Sequence, residues 1–206
     1  MDVNILERIR RLYAAIGIIE ENDPNKLKAT VVQTDKVKAV FQDFRGGLSD
    51  DDLSIYAHML IYDIAHLKNY LTQWAKDNGH DENKVYQTVG NSPDLQIIID
   101  LSNRDKHARP NRDGGESKKH PQLVNIKRVM QLQTQAKKGS TSGMTLGAGG
   151  VPKFFGDGTA KAIITGDVVD KDNNRIGDLH KIATKAVEAW EQLLVDFGLI
   201  DLTNGI

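Results

Sequence analysis

From Leu179 to Phe197 the apolar residues Leu179, Ile182, Ala183, Ala186, Val187, Trp190, Leu193, Leu194 and Phe197 recur at spacings of three and four. That is the repeat of a helix with one wide apolar face. Such a face must be covered, so the chain has to build a bundle around it. Asp178 stands where a cap is needed and Gly198 where the helix must stop.

Other segments supply partners for that face. Ile5, Ile9, Leu12, Ile16 and Ile19 predict a first helix ending near Glu-Asn-Asp-Pro, because Pro24 disfavours helical geometry at Asp23. Leu27, Val31, Val37, Val40, Phe41 and Phe44 predict a second, stopped by Gly46 and Gly47. Ser49 before three aspartates opens the longest helix, Asp50 to Asp77, with Leu53, Leu60, Ile64, Leu67, Leu71 and Trp74 in one stripe. Ile55, Met59, Tyr62 and Tyr70 widen it, which suggests contact on more than one side. Ser92, Pro93 and Pro110 punctuate a further helix over the triple isoleucine, a run that could also form a strand.

After Pro110 the pattern changes. Met130, Leu132 and Thr134 alternate with glutamines, which predicts a strand, and "KAIITGDVV" predicts another that turns at "DKDNN". Between them "GSTSGMTLGAGGVP" holds five of the 18 glycines and reads as a flexible connection. The expected architecture is mainly α: an up-and-down bundle of about five helices in residues 1–110 and 179–198, with a loop and antiparallel β ribbon inserted at 111–178. The 206 residues make a single domain.

Hydrophobic residues at 39%, charged residues at 27% and a net charge of −1 describe an ordinary globular chain that bulk charge steers toward neither nucleic acid nor membrane. No apolar run approaches the roughly 20 residues that span a bilayer. The absence of cysteine excludes disulfides and thiolate sites and suits a reducing cytoplasm, the expected location. Charges within the first eleven residues are unlike a signal peptide.

Three apparent motifs fail. "DKDNNRIGDLHK" starts like a calcium loop but has Arg175 where glycine and Lys181 where glutamate is needed, so a hairpin turn is expected. "GMTLGAGGVPK" lacks the Gly-Lys-Ser/Thr ending of a phosphate loop. Asp63 and His66, with His58 nearby on the same helix, are too few for a carboxylate metal site. No cofactor or metal is expected.

The stretch "DLSNRDKHARPNR" is different. At roughly 100° per residue Asp100, Asn103, Arg104 and His107 project into one arc, offering a carboxylate, an amide, a fixed cation and a proton-exchanging imidazole. An amphipathic helix also needs a polar side, and cations near its C-terminus are favoured by the helix dipole, so a solvated stripe is the competing reading. The surroundings favour a site. From Arg104 to Lys138 ten Lys or Arg face three acids, a local net of plus seven in a chain of −1. Lys106, Arg109, Arg112, Lys118, Lys119 and Arg128 form a candidate phosphate-binding set, and the lack of aromatics there gives no stacking platform.

"SNRDKH" resembles the RNxxxH motif of HEPN domains, small helical domains common in toxin–antitoxin and phage-defence systems. In that family the arginine and histidine serve metal-independent RNA cleavage, with the asparagine beside them, usually across a dimer interface. The resemblance covers Ile5 to Arg109: Asn103 and His107 match, Ser102 takes the arginine position, and Arg104 is the cation available to stand in. It implies His107, Asn103 and Arg104 as catalytic residues, which Asp100 joins through the shared arc, with RNA, an antitoxin or other protein, and a second copy of the chain as partners. The alternative is a non-catalytic module that oligomerises or docks through Asp100, Arg104 and His107.

Overall fold

The computed structural model describes residues 5–21, 25, 29–33, 38–42, 45–133, 138–147, 150–156 and 159–200. The chain divides into two compact units, one of Met1–Ile16, Ala57–Asn125 and Gly166–Ile206, the other of Gly17–Tyr56 and Ile126–Thr165.

Five α-helices are present among the described residues: α1 Ile5–Ile19, α2 Asp50–Asp77, α3 Asn83–Asn91, α4 Pro93–His107 and α5 Leu179–Asp196. The strands are β1 Glu20–Glu21, β2 Ala29–Gln33, β3 Lys38–Gln42, β4 Gln122–Gln133, β5 Ser142–Leu146, β6 Pro152–Gly156, β7 Thr159–Val169 and β8 Arg175–Asp178. β1, β7 and β4 make one sheet in that order, β8 also pairs with β7, and β2–β3 and β5–β6 are separate antiparallel pairs. Helices dominate, but the fold is mixed α and β instead of a purely helical bundle.

The predicted stripe of α5 is the centre of the first unit, with Leu179, Ile182, Ala186, Trp190, Leu194 and Phe197 all buried. Trp190 is fully enclosed, and its indole Nε1 donates to the Ile64 carbonyl of α2 at 2.9 Å. That bond satisfies the one polar atom of the largest core side chain, so its burial carries no polar penalty. Leu60, Ile64, Leu67 and Leu71 of α2 are buried as their spacing requires, whereas Ile55 and Tyr62 are exposed. α1 adds Ile5, Ile9 and Leu12 to the core, and its Tyr13 hydroxyl donates to Glu191 of α5 at 2.6 Å.

The caps follow the sequence. Ser49 and Asp52 form a reciprocal box at the start of α2: Asp52 N donates to Ser49 Oγ at 3.1 Å and Ser49 N to Asp52 Oδ2 at 2.9 Å. Ser49 Oγ also donates to Asp52 Oδ2 at 2.7 Å, and this bond first, with the Ser49 amide second, holds the Asp52 carboxyl below its ordinary value. Ser92 Oγ accepts from Leu95 N at 3.3 Å, with Pro93 in the first helical position of α4.

Two expectations are corrected, and one helix is added. The second helix expected over Leu27–Phe44 is replaced by the β2–β3 pair, with Val31 opposite Val40 and Thr30 opposite Phe41. β-branched residues lose side-chain freedom in a helix, so a short apolar run rich in them favours the extended conformation. Leu27, Val37 and Phe44 lie outside the described residues, as do Asp23 and Pro24, expected to end the first helix. The Gly-rich connection instead forms the β5–β6 pair, in which Gly143 faces Phe155 and Gly156 meets the Thr141 carbonyl, so glycine here provides closeness of approach. Finally, α3 was not expected. Its two buried anchors, Val85 and Val89, are too few to set a visible period.

Replacing Trp190 with Ala should cost about 3–5 kcal/mol in denaturant melting, since it removes the largest core side chain and leaves a cavity between α2 and α5.

Candidate nucleic-acid interface

α4 ends at His107 because Ala108 turns into the left-handed region, with φ 48° and ψ 33°. A Cβ makes that conformation costly, by roughly 1–2 kcal/mol. Asp113, Lys118 and His120 also have positive φ, as do Gly114 and Gly115. A loop this unfavourable to non-glycine residues must be held from outside.

Asp100 holds it. This residue on α4 is 0% exposed. Its carboxylate accepts Glu116 N and Ser117 N at 2.8 Å each and Ser117 Oγ at 2.6 Å. Its carbonyl accepts Asn111 Nδ2 at 2.7 Å. Successive amides aimed at one anion form a backbone nest, here occupied by the protein's own carboxylate. Gly115 is required in it: its φ is 79°, and a Cβ there would overlap the Asp100 carboxylate. Asp100, expected among the catalytic residues, is here engaged in anchoring the loop.

The anchored loop and the end of α4 enclose a cleft of about 740 Å³, lined by Asn103, His107, Arg109, Arg112, Glu116 and Lys118 among others. Asn103 and His107, four residues apart on the helix, are both exposed toward solvent. Of the two acids in the wall, Asp100 is bound by the loop and Glu116 accepts Lys68 Nζ at 3.3 Å. The cleft therefore presents three cations, an imidazole and an amide with its carboxylates already engaged. Chemically it suits an anion such as a phosphodiester.

Arg104 is not in this cleft. It lines a neighbouring one of about 430 Å³ with His58, Leu101, Asp105 and Gln122. There His58 Nε2 lies 3.9 Å from Asp105 Oδ1. Although Arg104 falls within the polar arc of α4, it sits at the far end of that arc from Asn103, and only the loop residues Arg109 and Pro110 line both clefts. The cations that share His107's cleft are Arg109, Arg112 and Lys118.

The remaining candidates separate. Lys119 lines a third cleft together with Lys118. Lys106 lies outside all three; its charge acts on His66 of α2, whose pKa is lowered by burial first and by Lys106 second. Arg128 belongs to the other compact unit, where its Nη1 donates to the Arg45 carbonyl at 2.9 Å. Ser102 is buried, 7% exposed, so the position that would hold the family's arginine faces the interior. Among the described residues no group of three or more His, Asp or Glu could hold a metal ion, and no helix is long and apolar enough to cross a membrane.

Sequence reasoning missed Asn111, Gly115 and Ser117 as site-forming residues. Their only signal was the Gly-Gly pair after Pro110, which reads as a plain loop without knowledge that Asp100 lies beneath it. No protein-family model, no curated protein and no solved structure matches this chain.

The clasp makes a specific demand at Gly115. Gly115→Ala should destabilise by about 3 kcal/mol or more in urea unfolding, since it strains the backbone and displaces a buried carboxylate from its donors. Gly79→Ala is the matched control, with positive φ but open space around the added Cβ, and should cost only about 1 kcal/mol.

Proposed function

We propose that this protein is a HEPN-like, RNA-directed module that grips the phosphodiester backbone in the His107 cleft, acting in the cytoplasm in a bacterial defence or toxin–antitoxin setting. The observation that carries the reading is the company of Asn103 and His107: Arg109, Arg112 and Lys118 in the same cleft, with both acids of its wall engaged.

The same groups suit cleavage without a metal. His107 takes the proton of a ribose 2′-hydroxyl, that oxygen attacks the adjacent phosphorus, and the bond to the 5′-oxygen breaks. The products are a 2′,3′-cyclic phosphate and a 5′-hydroxyl, the leaving oxygen regaining a proton from the imidazolium. Arg109 or Arg112 neutralises the charge that develops on the non-bridging phosphate oxygens, the task first expected of Arg104. Burial of Ser102 supports grip more strongly than turnover, so binding is the core of the proposal and cleavage its extension.

The test is RNA binding and cleavage by wild type, His107→Ala and Arg109→Ala/Arg112→Ala. The double variant should lose roughly tenfold in affinity and about 1.4 from the salt slope on single-stranded RNA, about 0.7 for each phosphate contact. The His107 variant should keep binding and lose any cleavage. Wild type that binds no RNA at low salt, or a double variant that binds as well as wild type, overturns the reading.

A second reading, a helical docking or oligomerisation module, is favoured by the exposure of Tyr62 at 49% and Leu6 at 47%. It requires a dimer in light scattering that Tyr62→Glu dissolves, in a protein with no affinity for RNA.

A further inference from the structure

The His107 cleft is not isolated. Arg109 and Pro110 also line the 430 Å³ cleft that holds His58 and Arg104, and Lys118 also lines a cleft of about 460 Å³ with Lys119, His120, Lys171 and Arg175. A side chain that lines two depressions is the saddle between them. The three clefts are thus contiguous, in the order Arg104, His107, Lys119, and all their lining residues belong to the same compact unit.

We propose that the three clefts form one track for an extended single strand of RNA several nucleotides long, with the Asn103–His107 cleft as its middle subsite. The inference rests on the RNA reading above and specifies its ligand. Each cleft falls within the roughly 300–1,000 Å³ that holds one small ligand, which suits one nucleotide-sized group apiece. A duplex is a stiff cylinder that rides over separated hollows, whereas an unpaired strand can follow them.

Charge is distributed along the track. Every cleft has at least two cations, Arg109 and Lys118 being shared at the saddles. The acids are largely engaged. Asp170 is bound into its own turn, accepting Asp172 N at 2.8 Å, Asn174 N at 2.9 Å and Asn174 Nδ2 at 3.0 Å. Asp172 accepts Lys171 Nζ at 2.8 Å, and Arg175 Nε lies 3.2 Å from Asp167 Oδ1. These surface pairs are weak and can exchange for a phosphate. None of the three linings contains Phe, Tyr or Trp, so the grip is on phosphate and ribose, tolerant of sequence and steeply dependent on salt.

The new members are Lys171 and Arg175. They come from the β7–β8 hairpin, far along the chain from the basic segment, and pairing of Asp167 with Asp178 and of Val169 with Arg175 brings them to the track.

The experiment uses the full chain and fluorescein-labelled oligouridylates of 3 and 9 nucleotides, read by fluorescence anisotropy. Wild type should bind the 9-mer at least about tenfold tighter than the 3-mer. Lys171→Ala/Arg175→Ala should weaken the 9-mer by roughly tenfold, leave the 3-mer within about twofold, and lower the salt slope for the 9-mer by about 1.4, two contacts at 0.7 each for a single strand. If the variant binds the 9-mer like wild type, or weakens both lengths equally, the track is wrong while the RNA reading stands. A 9-base-pair duplex bound as tightly as the single strand also overturns it. If neither oligonucleotide binds wild type, the RNA reading fails and the track with it. Both substituted side chains lie in an exposed hairpin, and an unchanged melting temperature separates loss of contact from loss of fold.

Discussion

A single carboxylate determines whether this surface exists. Asp100 lies wholly inside the protein, about two helical turns before the end of α4, and takes three hydrogen bonds from the loop that follows. Without it, the segment from Ala108 to His120 would have to keep four non-glycine residues in left-handed geometry with nothing to offset the cost. With it, the loop folds back over its own helix, and Arg109, Arg112 and Lys118 converge near His107. The anchor is local, but its effect is the shape of the cleft. A buried charge with full hydrogen bonding is tolerated in the interior, and the loss of its donors is not.

Helices with a regular period and clear ends were legible from residues alone. α2 runs from Asp50 to Asp77 as the Ser49 cap requires, and the stripe of α5 is buried along its length. What escaped was structure whose signal is not periodic. β2 and β3 are five residues each, too short to separate from a helix by spacing, and their pairing leaves no periodic mark in the sequence. The β5–β6 pair was hidden because its glycines read as freedom, when at Gly143 and Gly156 they make room for a ring and a carbonyl. Strand pairing is a long-range fact, and one-dimensional patterns report it poorly.

The candidate site shows the same division. Asn103 and His107 lie together because helical geometry guarantees neighbours four apart. The separation of Arg104 from His107 was not legible, since a helical wheel gives directions but not the loop that splits the polar face into two clefts. Asp100 looked like a member of that face and proved to be its foundation. Lys171 and Arg175 were out of reach of any local reading, because only the β7–β8 register brings them to Lys118.

Ser92 links two helices through one residue. Its amide donates to Val89 at the end of α3, its hydroxyl accepts Leu95 N, and its carbonyl accepts Gln96 N at the start of α4, while Gln96 Nε2 reaches back to Val89 and Gly90 carbonyls. The last turn of one helix and the first turn of the next therefore share their terminal bonds. Neither can fray without loosening the other, so the α3–α4 elbow opens and closes as one cooperative unit. The end of α4 that carries His107 is thereby steadied from its far end as well as by the loop beyond it.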